Sequence, residues 1–256
     1  MEANTINRVI QTGKVDEVRI IPTKIGTETR LMGVMYIKQW DYRKKEEEVK
    51  RINEFVVKGV GASVKAFQEI ERLLKDKQTV YVAVRGALQS RVLKESSNPA
   101  LTVLTNIFVV DYDAIDLIPD FILVNEVSFA GRIFQNNSIR TKIKYGSKAD
   151  PDSVRVEFAM QVGKTQESQN PFSTTKPSNV FFCVYKPKDK ESFEQVKARF
   201  IDTGRSIFLV GALISKYVRI NEKEVYRLEV LIRQVKISAG RHIITEEKEV
   251  ANVYSK

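Results

Sequence analysis

This chain predicts an all-β protein of two tandem five-stranded barrels, each with one short helix, and three observations carry the prediction. The first half of the sequence is repeated in the second, period-2 hydrophobic patterning dominates both halves, and in each half the patterning switches once to helical spacing. The repeat is closest where each half begins. Ile6-Asn7-Arg8-Val9 followed by Gly13-Lys14-Val15 recurs as Val124-Asn125-Glu126-Val127 followed by Gly131-Arg132-Ile133, and Ile21-Pro22-Thr23-Lys24-Ile25 recurs as Ile139-Arg140-Thr141-Lys142-Ile143. Gly86-Ala87-Leu88 returns as Gly211-Ala212-Leu213. A repeat of this length is a duplicated globular domain, because solenoid units recur at about 20–50 residues.

The repeated segments supply the first strand of each half. In the first half, Arg30 to Trp40 and Arg51 to Lys58 read as strands two and three around the charged turn Asp41 to Lys50. In the second, Val154, Val156, Phe158, Met160 and Val162 alternate with Arg155, Glu157, Ala159 and Gln161, a strand with one buried face. A polar stretch from Gly163 to Pro177, a long loop by composition, leads to a third strand, Val180 to Lys186. Phe67, Ile70 and Leu74 then stand at i, i+3 and i+7, as do Phe193, Val196 and Phe200, giving one amphipathic helix per half. Val80, Val82 and Val84 lead into Gly86, and Ile207 and Leu209 into Gly211, so each fourth strand meets a glycine where it bends or is closely approached. Leu101 to Tyr112 and Glu224 to Lys236 supply the fifth strands. Five strands with a helix before the fourth is the order of an OB-fold barrel. Pro119 cannot continue a ladder, which puts the boundary between domains 1–119 and 120–256.

Charge separates the halves. The 256 residues carry a formal +10, but residues 1–120 hold 19 Lys/Arg against 17 Asp/Glu, leaving 23 against 15 for residues 121–256. The second half therefore carries +8 and the first +2, which points to a polyanionic partner engaged more by the second half. Cys183, the single cysteine, lies in the apolar run Val180 to Tyr185 and is expected as a buried reduced thiol in a cytoplasmic protein. No apolar stretch approaches the roughly 18 residues of a membrane span.

Asn-x5-Gly with apolar flanks, alternating second and third strands, a helix, and an apolar strand running into Gly-x-Leu together resemble the single-stranded DNA-binding proteins of bacteria and their phages. In the second half these pieces are Asn125 to Gly131, Val154 to Val162, Val180 to Lys186, Phe193 to Phe200 and Ile207 to Leu213. The first half follows the pattern more loosely. The resemblance implies OB-folds that coat and protect single-stranded DNA in replication or recombination with little sequence preference. It also implies an assembly of four barrels, which a homodimer of this chain would supply. That family's tail ends in an acidic tip with a terminal Pro-Phe. This sequence ends Tyr254-Ser255-Lys256, so partner recruitment through such a tail is not expected.

Binding a single strand needs cations along the backbone path and aromatic faces for the bases. On strand two of the first half, Tyr36, Lys38 and Trp40 share a parity opposite Leu31, Met35 and Ile37, so Tyr36 and Trp40 are expected outside and the second set in the core. Tyr81 and Arg85 hold the non-core parity of strand four. The resemblance implies stacking aromatics on strand three of the second half, which favours Phe181 and Tyr185 outward with Phe182 inside. Tyr217 and Arg219 begin the loop joining strands four and five, one of the loops with which OB-folds grip oligonucleotides. Candidate phosphate contacts are Lys24, Arg140, Lys142, Lys144, Arg155, Lys216, Arg219 and Arg227, with Lys24 and Lys142 at equivalent positions in the loop between strands one and two.

Enzymatic chemistry finds no support. His242, the single histidine, has no nucleophile placed beside it by the pattern, and Asp111, Asp113 and Asp116 read better as a strand end and turn than as metal ligands. Gly59-Val60-Gly61 lacks the remaining glycine and lysine of phosphate loops. No catalytic residue, metal or cofactor is therefore expected. An OB-fold interaction or assembly module and an RNA-binding protein are the competing readings, since one fold hosts many functions.

Overall fold

Alternating apolar and polar residues build twelve strands and one α-helix in the computed structural model, which describes residues 6–25, 27–42, 49–92, 103–109, 111–134, 141–145, 154–162, 179–186, 206–220 and 223–237. The first half contributes β1 (Asn7–Ile25), β2 (Glu28–Tyr42), β3 (Val49–Val60), α1 (Val64–Lys75), β4 (Tyr81–Val92), β5 (Val103–Val109) and β6 (Ile115–Ile118). The second contributes β7 (Asn125–Phe134), β8 (Lys142–Tyr145), β9 (Val154–Val162), β10 (Asn179–Tyr185), β11 (Ser206–Ile220) and β12 (Lys223–Ile237). Strands β6 and β8, which pair with β4 and β9, have too few alternating residues to stand out in the sequence. The expected helix at 193–200 lies outside the described residues.

Hydrogen bonding runs in the order β6-β4-β5-β3-β2-β1-β7-β11-β12-β10-β9-β8. The additional β4–β1 pairing closes β1, β2, β3, β5 and β4 into a five-stranded barrel of OB-fold type. The β7–β9 pairing joins β7, β11, β12, β10 and β9 in the same cyclic order. Both circuits need one parallel contact, supplied by β3–β5 and by β10–β12.

The core follows the predicted parity closely. Met35, Ile37, Val57, Val82, Val84, Leu88 and Ile107 are fully buried in the first half, as are Phe129, Met160, Leu209 and Leu213 in the second. Leu31 departs from the expectation: it is 49% exposed, because it pairs with Pro22 on the part of the β1–β2 hairpin that runs past the barrel. Helix α1 turns Phe67 and Ile70 inward. A Cβ at Gly33 would stand 2.3 Å from the Phe67 ring and one at Gly59 2.5 Å, so these two glycines make the seat on which the helix rests. Gly59 is thus explained by packing rather than by a phosphate.

The repeated Asn and Gly-x-Leu residues meet in space. Asn7 Nδ2 donates to the Leu88 carbonyl at 2.8 Å while its Oδ1 accepts the Leu88 N–H at 3.0 Å. Asn125 does the same with Leu213 at 2.8 and 2.7 Å. Gly86 and Gly211 lie against strand-five backbone, where an added Cβ would come 2.5 Å from the Phe108 and Leu231 carbonyls respectively.

Backbone and side chain both join the halves. Strand β1 pairs antiparallel with β7 from Asn7↔Phe129 to Gln11↔Asn125. Gln39 Nε2 donates to the carbonyls of Thr12 and Val124, both at 2.9 Å, and its Oε1 accepts Asn125 Nδ2 at 3.0 Å. On the β3–β11 side, Ser215 Oγ accepts the Glu54 N–H at 2.8 Å, Asn53 Oδ1 accepts the Ser215 N–H at 3.2 Å, and the Tyr226 hydroxyl bonds the Glu54 carbonyl. The buried side chains of Gln39, Asn53 and Ser215 along this contact are therefore hydrogen-bonded, as burial requires.

Candidate nucleic-acid interface

Four of the cations singled out in the sequence converge on one face of the second half. Lys216 on β11, Arg227 on β12, Arg155 on β9 and Lys144 on β8 surround two carboxylates, Glu229 and Glu157. The strands concerned are neighbours in the order β11-β12-β10-β9-β8, so the basic stripe crosses five strands, a width of about 19 Å at ordinary strand spacing. Strand pairing sets the alignment: Lys216 lies opposite Arg227, and Lys144 opposite Arg155.

Glu229 is 2% exposed and receives Lys216 Nζ at 2.6 Å and Arg227 at 3.0 Å, with Arg155 at 3.9 Å. Glu157 receives Arg155 at 2.8 Å and Lys144 at 3.0 Å. A buried carboxylate is tolerable only when cations surround it, and here it in turn holds those cations in place. Burial works against the Glu157 charge, but the Lys144 hydrogen bond and the charges of Arg155, Lys144 and Lys216 outweigh it and hold the carboxyl below the usual glutamate range. Burial lowers Arg227 against the opposing pull of Glu229 and Glu157, and a guanidinium so placed stays protonated at neutral pH. Four cations against two carboxylates leave this stripe net positive. Since lysine carries three donors and arginine five, their carboxylate contacts leave donors over for a phosphate.

The face assignment on β10 needs correction. Phe181 is 1% exposed and packs on Phe129 at 5.3 Å, and Tyr185 also leans on the core; Phe182 has the opposite parity, with the Arg227 guanidinium 3.6 Å above its ring. The sequence misleads because both faces of β10 are covered, one by the core and the other by Arg227 and by contact with β4, where Ser90 Oγ accepts the Val180 N–H at 2.8 Å. A strand covered on both sides reads as an unbroken apolar run and shows no parity. Cys183 lies on the core side, and burial pushes its thiol far above the ordinary range.

In the first half, Trp40 and Tyr81 are half-buried and meet at the connecting segment, each beside Phe121 with ring centroids 5.7 and 6.3 Å away. Phe121 was not legible as a partner, because nothing in a six-residue connection signals where its one aromatic will land. Tyr36 is 37% exposed, with the Arg19 guanidinium 5.9 Å from its ring. Arg85 is tied to Asp116 at 2.9 Å and to the Asp113 carbonyl at 2.7 Å, an acidic environment that opposes phosphate contact. Tyr217 is 60% exposed, donates its hydroxyl to Glu54 at 2.7 Å and stands edge-on to Tyr226.

Lys24 and Lys142 are exposed, but both sit on strands, β1 and β8, rather than in the expected loop. Tyr217 and Arg219 likewise fall within β11, whose ladder with β12 continues to Ile220, and not in a loop. The Arg219 side chain, Arg140 and His242 lie outside the described residues. Among the described residues no group of three or more His, Cys, Asp and Glu could hold a metal ion. Among the same residues no helix is long and apolar enough to cross a membrane.

No family model matches the chain, and no curated protein matches it by sequence. Solved structures do share its fold. The wild-type single-stranded DNA binding protein from Thermus aquaticus superposes with a TM-score of 0.62 at 12% identity, covering 93% of this chain and 95% of that one. A deletion mutant of the same protein gives 0.60 at 11% identity, covering 91% and 95%. Over nearly its whole length, this chain shares the OB-fold architecture of the Thermus aquaticus structure.

Proposed function

We propose that this protein is a non-enzymatic, cytoplasmic single-stranded DNA-binding protein, built of two OB-folds in domains 1–119 and 120–256, that coats single strands in replication or recombination. The observation that carries the reading is the basic stripe of Lys144, Arg155, Lys216 and Arg227 across five neighbouring strands. Fold likeness to the Thermus aquaticus protein supports it, and so does the concentration of positive charge in the second half. The strand path follows that stripe, with Lys142 extending it along β8. Trp40, Tyr81 and Tyr36 offer aromatic surface in the first half, and Tyr217 does so near the contact between the halves. A homodimer would bring four OB-folds together.

Fluorescence anisotropy of a labelled oligo-dT, with Trp40 emission as a second readout, tests the reading. Micromolar or tighter binding that weakens with salt, and weaker binding to duplex of equal length, is expected. Equal binding of duplex would remove base contact from the account, and tighter binding of oligo-U would transfer it to RNA. Absence of binding to all three would leave the OB-folds as an interaction module.

A further inference from the structure

Core packing has taken an aromatic that the family resemblance offered for stacking in the second half: Phe181 is buried against Phe129. Its neighbour Phe182 does not replace it, since it is 8% exposed and lies beneath Arg227. What this face presents above Phe182 is the guanidinium itself. Its central carbon is 3.6 Å from the ring centroid, a van der Waals stacking distance. One face of the plane is thus spent on Phe182, while 22% of the Arg227 side chain stays exposed. Glu229 takes one terminal nitrogen at 3.0 Å and fixes rotation about the stack. Phe182 and Glu229 are partners in the parallel β10–β12 register, so ring and carboxylate are held by paired backbone rather than by chance side-chain placement.

We propose that Arg227 is a base-stacking platform of the second half, its guanidinium sandwiched between Phe182 below and a nucleobase above, and not primarily a phosphate contact. The chemistry suits the place. A guanidinium is planar, weakly hydrated and able to stack on a π face on either side, and every base offers such a face, so the contact carries no sequence preference. Arg155 and Lys216, flanking it on the same stripe and sharing Glu229, are placed to hold the adjoining phosphates. This inference rests on the single-strand reading above and names what one of its residues does.

The test separates plane from charge. Arg227→Lys keeps the positive charge and removes the plane, and Phe182→Leu keeps every charge and removes the backing ring. Each variant is first compared with the parent by circular dichroism and melting temperature. Each is then titrated with oligo-dT and with an abasic deoxyribose-phosphate oligomer of equal length. Arg227→Lys should weaken oligo-dT binding about 5- to 150-fold, the equivalent of removing one stack at roughly 1–3 kcal/mol. Its abasic affinity and salt slope should match the parent's. If Arg227→Lys does not fold, Phe182→Leu provides the same discrimination. Equal weakening on both probes would make Arg227 a phosphate contact and overturn the proposal, as would unchanged binding on both. Failure of the parent to bind oligo-dT at all would instead strike the single-strand reading on which the proposal rests.

Discussion

Asn125 forms two hydrogen bonds with one residue: its Nδ2 donates to the Leu213 carbonyl at 2.8 Å and its Oδ1 accepts the Leu213 N–H at 2.7 Å. The side-chain amide thereby continues the β7–β11 ladder one step beyond its last backbone pair, Val127↔Gly211. Asn7 and Leu88 repeat the arrangement beyond Val9↔Gly86. Replacing Asn125 or Asn7 by Ala leaves a buried N–H and C=O unsatisfied, at about 1–3 kcal/mol for each orphaned group. Chemical denaturation should show a loss of about 2–6 kcal/mol for either variant, with Asn7→Ala at least as damaging because Asn7 is fully buried.

Gly211→Ala should also destabilise, for a different reason. The added methyl would stand 2.5 Å from a backbone carbonyl, that of Leu231, which cannot move without breaking the β11–β12 pairing. A loss of about 1–3 kcal/mol or more in urea unfolding is expected from such overpacking. Gly86→Ala, 2.5 Å from the Phe108 carbonyl, should behave alike.

One substitution should stabilise. Helix α1 ends with the Lys77 N–H on the Leu74 carbonyl and the Gln78 N–H on the Leu73 carbonyl, a Schellman cap whose left-handed position is held by Lys77 at φ 58°. A non-glycine residue is strained in that region. Lys77→Gly should raise stability by about 1 kcal/mol, visible as a higher melting temperature.

Acid should weaken the second half partly through Glu157. Its carboxyl titrates lower in the folded state than its ordinary value of 4.5. Around and below that value the unfolded chain holds more protons, so the contribution is complete at higher pH and fades as pH falls through the lowered value. Glu157→Gln removes this dependence. The gap in melting temperature between parent and variant should narrow as pH is lowered from about 6 to about 3.

The halves should unfold together. Strand pairing between β1 and β7, the Gln39 bridge and the contacts of Glu54 with Ser215 and Tyr226 all cross between them. Calorimetry should give a single transition with matching calorimetric and van't Hoff enthalpies. Tyr226→Phe, which removes the hydroxyl bonded to the Glu54 carbonyl, should lower stability by about 1 kcal/mol or more.

Most strands were legible because their residues face two different environments. In β9 the predicted and observed spans coincide, and Val156, Phe158, Met160 and Val162 are all buried. The repeated Asn, Gly and Leu residues stood out because each makes a contact that few other residues could make. Parity failed at Phe181 and Phe182, where both sides of the strand are covered, and at Leu31, where the hairpin outruns the barrel. The cations Lys144, Arg155, Lys216 and Arg227 were each legible as charge, but their convergence was not. It depends on the parallel β10–β12 pairing and on Glu229, an acid that no pattern in its strand marks as buried.

On the proposed function, the basic stripe on the second half holds the phosphates of a single strand. A salt series of oligo-dT affinities for the parent and for a Lys144→Ala, Lys216→Ala double variant measures this most directly. The parent's log affinity should fall steeply with log salt, and the double variant's slope should be shallower by about 1.4, at roughly 0.7 for each phosphate of a single strand that is no longer neutralised. Identical slopes for parent and variant would contradict it.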